Sequence, residues 1–151
     1  MQKKKGWNIW MKNTTVFLDT NIVIDYLQNR EPFAEYVNII FGLCKDKKIS
    51  AYISAQTISD TFYILRKAYT IDERKMMLLG ICKMVGIIGA NKTMVVNALT
   101  NEDFDDVEDC IQAECAKTAG AEYIITRNIK DFEASEVKPI LPEEFLELIK
   151  E

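Results

Sequence analysis

The chain has 151 residues, of which 48% are apolar and 28% charged, with a formal net charge of −4 and no histidine. That length suits one domain that buries about 70% of the surface its unfolded chain would expose, so the core needs no staples. The absence of histidine excludes a Ser-His-Asp triad, a Cys-His dyad, histidine acid–base ribonuclease chemistry and a histidine-ligated zinc. Any catalysis must rest on carboxylates, lysines or a metal.

Residues 1–13 read as a basic N-terminal extension ahead of a domain spanning 14–151. They hold Lys3, Lys4, Lys5 and Lys12 and both tryptophans, Trp7 and Trp10. The extension suits either a basic–aromatic arm on RNA or a frayed terminus, and Met11 offers an alternative start. No apolar run follows the lysines, so no secretory leader is expected. Residues 1–12 contain no acid, which leaves 15 of the 19 basic residues against all 23 acidic ones, a net −8 in the body of the domain.

Thr14–Leu18 is β-branched and apolar, as befits a parallel strand buried on both faces. Residues 20–28 carry Ile22, Val23, Tyr26 and Leu27 at helical spacing. Pro32 is expected to open a second helix running to Cys44. Residues 49–54 alternate as a strand. Residues 55–69 read as one helix with Ile58, Phe62, Leu65 and Tyr69 on a stripe, and 72–84 as another. The apolar stretch 76–89 is broken by Gly80, Lys83 and Gly86 and is too short to span a bilayer. A short strand is expected at 85–88. Residues 91–99 and 104–118 read as helices, the second closed by Gly120. Strands follow at 122–126 and 137–140, and Pro142 opens a final helix to Ile149. Strands alternating with helices predict an α/β domain with a mainly parallel sheet. Cys44, Cys82, Cys110 and Cys115 form no C-x-x-C pair and read as reduced core thiols of a cytoplasmic protein.

In open parallel sheets, ligands gather outside the carboxyl ends of the strands. Asp19, Thr20 and Asn21 follow the first strand. Ser54, Thr57 and Asp60 follow the second. Arg127, Asn128 and Asp131 follow the strand at 122–126. Asp109 shares a helical stripe with Ala113 and Ala116, whose small side chains let that face approach the sheet and carry Asp109 to its rim. Each acid also has an ordinary role. Asp19 or Thr20 suits a helix cap, Asp60 a helix N-terminus and Asp131 a turn. Asp103, Asp105, Asp106 and Glu108 read as the solvated start of a helix. Several carboxylates at one rim would repel one another, and Mg²⁺ or Mn²⁺ removes that penalty without needing histidine.

Val16-Phe17-Leu18-Asp19-Thr20-Asn21, the acidic helix Asp105-Asp106-Val107-Glu108-Asp109-Cys110-Ile111-Gln112-Ala113-Glu114-Cys115-Ala116 and the stretch Gly120-Ala121-Glu122-Tyr123-Ile124-Ile125-Thr126-Arg127-Asn128-Ile129-Lys130-Asp131-Phe132 together resemble the PIN-domain family, especially the toxins of VapBC-type toxin–antitoxin pairs. The resemblance covers most of residues 16–149. It implies a three-layer α/β sandwich with a central sheet of four to five strands. It also implies a metal-dependent endoribonuclease, the toxin of a type II pair. Asp19 matches the family's first acidic position and Asp109 the third. The second, usually glutamate, falls to Asp60, one methylene shorter. The fourth falls on Asn128 or Asp131. The implied catalytic set is Asp19, Asp60, Asp109 and Asp131, with metal ligands from Asp19, Asp109, Asp60 and Asn128. Thr20, Asn21 and Thr126 would orient ligands or water, and Arg127, Lys130 and Lys92 would contact phosphate. The implied partners are Mg²⁺ (or Mn²⁺), RNA, a cognate antitoxin and a second copy of the chain, with no membrane. Residues 32–44 and 55–69 suit a homodimer face or the core equally. The alternative reading, prompted by Asp60 and Asn128, is a PIN-like scaffold that binds RNA or protein without catalysis. A haloacid-dehalogenase-type phosphatase would need a second aspartate where Asn21 stands. A phospho-receiver domain would need one after 85–88, where there is none.

Overall fold

The computed structural model describes residues 13–150, so most of the basic N-terminal extension lies outside the described residues. Five strands form one all-parallel sheet in the order β3-β2-β1-β4-β5. They are β1 (Thr14–Leu18), β2 (Ile49–Ser54), β3 (Gly86–Ile88), β4 (Tyr123–Ile125) and β5 (Lys138–Ile140). Among the described residues, seven α-helices connect and follow them: α1 (Thr20–Leu27), α2 (Ala34–Lys45), α3 (Ala55–Ile64), α4 (Ile71–Met84), α5 (Lys92–Thr100), α6 (Val107–Thr118) and α7 (Pro142–Ile149). The chain steps outward from β1 to β3, then returns across the sheet to β4. Crossovers of one hand therefore place α1 to α4 on one face and α5 and α6, which carry the return, on the other, while α7, after β5, packs back against α2 on the first face.

The core follows the two-residue period of the strands. Val16 and Leu18 of β1 join Ala51, Ile53 and Ile125 under α1, α2, α4 and α7. Phe17, between them, points the other way and packs with Ile124, Met94 of α5, Ala113, Cys115 and Ala116 of α6, and Phe132. The expected three layers are present, and the alanine face of α6 lies against the sheet. Gly86 permits the β2–β3 pairing. It sits opposite Tyr52, and a Cβ there would lie 2.5 Å from the tyrosine ring. Gly120 closes α6 at φ +72°, a conformation that favours glycine.

Three helix boundaries differ from the expectation, each for a local reason. Pro32 lies in the turn before α2, where the Phe33 and Ala34 N–H groups both donate to the Arg30 carbonyl. Residues 55–69 are not one helix. The Arg74 guanidinium takes the Phe62 carbonyl at 2.8 Å, and α3 gives way at Leu65 to a 3₁₀ turn. Residues 104–106 are not helical because the Asn101 side chain accepts the N–H groups of Asp103 and Phe104 in a turn of its own. Cys44, Cys110 and Cys115 are buried, whereas Cys82 is exposed, and all four are free thiols. Among the described residues, no helix is long and apolar enough to cross a membrane.

One buried ion pair ties α1 to the end of β4. Asp25, completely buried, accepts Arg127 Nε at 2.7 Å and Nη2 at 3.3 Å, while the guanidinium stacks 4.1 Å above the Phe33 ring. Removing the cation strands a buried charge. Arg127→Met is expected to lower unfolding free energy by about 3 kcal/mol in urea denaturation. Adding Asp25→Leu should recover most of that loss. A single Arg127→Met variant as stable as the parent would show that the pair does not hold the fold.

Candidate functional site

Asp19 stands one residue beyond β1. Its backbone N–H donates to the Ile125 carbonyl at 3.1 Å, continuing the ladder to β4. One carboxylate oxygen caps α1 by accepting the Thr20 N–H at 2.7 Å. The other accepts the Thr126 hydroxyl at 2.9 Å. That hydroxyl itself accepts the Asn128 N–H at 2.9 Å, so its one proton is committed to Asp19. Gln112 of α6 lines the same cleft as Asp19, and its amide lowers the Asp19 pKa further. The register explains the meeting. Leu18 pairs with Ile125, so the next residue on each strand, Asp19 and Thr126, emerges side by side. Burial raises the Asp19 pKa, partly offset by these hydrogen bonds.

A chain of hydroxyls joins the ends of β1 and β2. Thr20 Oγ1 lies 2.9 Å from Thr57 Oγ1, which lies 3.1 Å from Ser54 Oγ. Asp60 follows Thr57 by one helical turn and so reaches the same rim. The cleft is lined by Asp19, Thr20, Asn21, Asp60, Tyr63, Ile64, Asp106, Glu108, Asp109, Gln112, Asn128 and Asp131. Six of these are carboxyls, and none is a lysine or arginine. Burial, then repulsion from Asp106, Asp131, Asp19 and Glu108, pushes the Asp109 pKa up to about 7. Glu108 is also raised, by burial and then by the charge of Asp60.

Among the described residues, no three His, Cys, Asp or Glu side chains close into a ready-made cage. The donors are hard oxygens facing an open cleft. They fit Mg²⁺ or Mn²⁺, which keeps waters in its shell and takes only a few carboxylates from the protein. The repulsion acting on Asp109 is the charge that such an ion would neutralise.

Of the expected residues, Asp19, Asp60, Asp109, Asn128 and Asp131 share this cleft with Thr20 and Asn21, and Thr126 is buried against Asp19. The three basic residues are not part of the lining. Arg127 is turned to Asp25, and Lys92 and Lys130 lie outside it. Asp103 and Asp105 are exposed, as a solvated helix start requires. Asp106 and Glu108 are exposed as well, but they also line the open cleft, and Asp106 caps α6 by accepting the Asp109 N–H at 3.1 Å. Two residues escaped the sequence reading altogether. Gln112 follows Asp109 by three positions, a spacing that shares its face. Asp25 is an acid inside the otherwise apolar run from Ile22 to Leu27.

A family model described as PIN domain matches residues 15–130. The chain is 27% identical over 143 residues to Ribonuclease VapC1 of Aquifex aeolicus (strain VF5), covering 91% of this chain and 96% of that protein. Among solved structures it is similar to a toxin–antitoxin complex from Klebsiella pneumoniae, with a TM-score of 0.64 and 22% identity over 84% of this chain and 97% of that one. It is also similar to VapC20 of Mycobacterium tuberculosis, a sarcin-ricin loop cleaving toxin, with a TM-score of 0.61 and 12% identity over 81% of this chain and 95% of that one. At these identities the structural likeness concerns the fold.

The crowded carboxyls make stability depend on pH. Asp109 has a folded-state pKa of about 7 against an ordinary 3.8. Between those values the folded chain holds a proton that the unfolded chain has released, so stability falls as pH rises through the window. In the presence of EDTA, the melting temperature should therefore rise as pH is lowered from 7.5 to 5.5. Asp109→Asn should flatten that profile and stabilise the metal-free protein at pH 7.5. An unchanged profile in this variant would remove Asp109 as the source.

Proposed function

The chain belongs to the PIN-domain family, and on that premise we propose that it is a Mg²⁺- or Mn²⁺-dependent endoribonuclease, the toxin of a type II toxin–antitoxin pair. The observation that carries this reading is the cleft of six carboxyls at the carboxyl ends of the central strands, built around buried Asp19. The name of the Aquifex relative as a ribonuclease supports it, as do the names of the structural neighbours as toxins and toxin–antitoxin complexes.

Asp19 and Asp109 would hold the ion, with Asp60 and Glu108 beside them and Asn128 or Asp131 from the loop after β4. Bound there, the ion would activate a water for in-line attack on a phosphodiester and offset charge on the departing 3′ oxygen. Thr20 and Thr126 hold the Asp19 carboxylate in one orientation, so it need not reorganise when it is used. Glu108 supplies the methylene that Asp60 lacks, and the two together answer the family's glutamate position. Asn21 orients water or ligands at the mouth. Lys92 follows β3 and Lys130 follows β4, and both are proposed as phosphate contacts on the rim. Asp25 already holds the Arg127 guanidinium, which leaves phosphate to the two lysines.

A cognate antitoxin, RNA and a second copy of the chain complete the proposal. Helix α2 buries Val37, Ile40, Phe41, Leu43 and Cys44 in the core, whereas α3 leaves Tyr63 and Ile64 exposed on the wall of the cleft. An antitoxin segment covering those two residues and placing a basic side chain among the carboxyls would close the site.

In single-turnover cleavage of a structured RNA with Mn²⁺, Asp19→Asn and Asp109→Asn should each lower the rate on the order of 10²-fold or more. Equal rates in all three proteins would overturn the assignment. Mn²⁺ should also raise the melting temperature of the full chain, and by more at pH 8 than at pH 6, because the carboxyls must be ionised to bind it. Neither a thermal shift nor calorimetric binding at millimolar Mn²⁺ would favour the non-catalytic scaffold instead.

A further inference from the structure

We infer that Gln112 is a positioning residue of this cleft: its amide nitrogen steadies Asp19, and its amide oxygen is kept free to accept a hydrogen bond from a water in the shell of the divalent ion. The inference rests on the metal-site reading above and adds to it a residue that carries no charge.

The chemistry of the two partners fixes the amide's orientation. Gln112 and Asp19 line one cleft, and the Gln112 amide lowers the Asp19 pKa. An ionised carboxylate only accepts, so the glutamine must donate through Nε2. Its Oε1 is then the end left over, and this atom is buried with no partner. Gln112 is 5% exposed, yet it lines the same cleft as Asp19 and Asp109. A buried carbonyl oxygen without a partner is rare in folded proteins and calls for a water or an ion to complete it. Among the described residues, the other buried polar side-chain atom in that condition is Thr61 Oγ1, which does not line the cleft.

Packing alone does not account for the residue. Gln112 lies on the face of α6 that carries Asp109 and, one position on, Ala113. Methionine has nearly the same length and would fill the space without burying an unpaired oxygen. The glutamine is instead placed to orient. It holds a ligand through one end and offers a directional acceptor at the other, a role in which loss of an outer contact weakens metal binding without removing a ligand.

The test is calorimetric titration of Mn²⁺ into the full chain, with melting temperatures measured in EDTA. Gln112→Met is expected to weaken Mn²⁺ binding by about 10- to 100-fold, with a metal-free melting temperature close to that of the parent because it loses the contact to Asp19 together with a buried unpaired oxygen. A purely structural glutamine predicts the opposite, a lower melting temperature with unchanged Mn²⁺ affinity, and that result overturns the inference. Should Gln112→Met fold poorly, Gln112→Asn keeps the amide but withdraws it by one methylene. It should weaken Mn²⁺ binding likewise, and unchanged affinity in this variant also overturns the inference. Absence of Mn²⁺ binding by the parent chain is a distinct result that overturns the metal-site reading itself and the inference with it.

Discussion

A carboxylate buried at the end of a parallel strand must be satisfied before the rest of this fold is of use. Taking it out of water is expensive unless hydrogen bonds replace the solvent. Asp19 finds those bonds in the first N–H of α1 and the hydroxyl of Thr126 beyond β4, and the amide of Gln112, from α6 on the opposite layer, further favours its charge. Each is available because β1 is the central strand and its neighbour β4 ends level with it. The alanine face of α6 belongs to the same constraint. Bulkier side chains at Ala113 and Ala116 would hold the helix off the sheet and carry Asp109 and Gln112 away from Asp19.

Two buried aspartates are treated in opposite ways. Asp25 is given a cation of the protein's own, held in two hydrogen bonds and stacked on Phe33. Among the described residues, the carboxyls that line the cleft around Asp19 share it with no lysine or arginine. Their repulsion is kept, visible as the raised pKa values of Asp109 and Glu108. Stability is forgone there in exchange for a site whose charge balance must be completed from outside, as functional sites commonly require. The Asp25–Arg127 pair serves the same cleft indirectly, since it ties down α1 and the residue next to Thr126.

The chemistry of local segments was legible in the residues. Val16 to Leu18 announced a buried strand, and Asp19 after it a rim residue or a cap; the structure makes it both. The spacing of Asp109, Ala113 and Ala116 identified the face of α6 that meets the sheet. What misled was competition from single side chains acting across turns. Asn101 delayed α6, Arg74 cut α3 short, and the Arg30 carbonyl shifted the start of α2. Asp106 and Glu108 are exposed like Asp103 and Asp105, but they alone of the four line the cleft. Only the late start of α6 turns the first pair into the cleft and leaves the second outside it.

By itself, the sequence determined the class of chemistry. With no histidine and a surplus of acid in the body of the domain, hard oxygen ligation is what remains, and the alternating strands and helices fix where such ligands gather. Asp19 and Asp109 followed from that. Only the tertiary structure decided which groups are partners. Arg127 follows Thr126 in the chain, yet it faces Asp25, more than a hundred residues away, because a buried charge competes for a cation more strongly than an open cleft does. Gln112 carries no charge and breaks no pattern. Its contact with Asp19 and its unpaired oxygen exist only once α6 has docked.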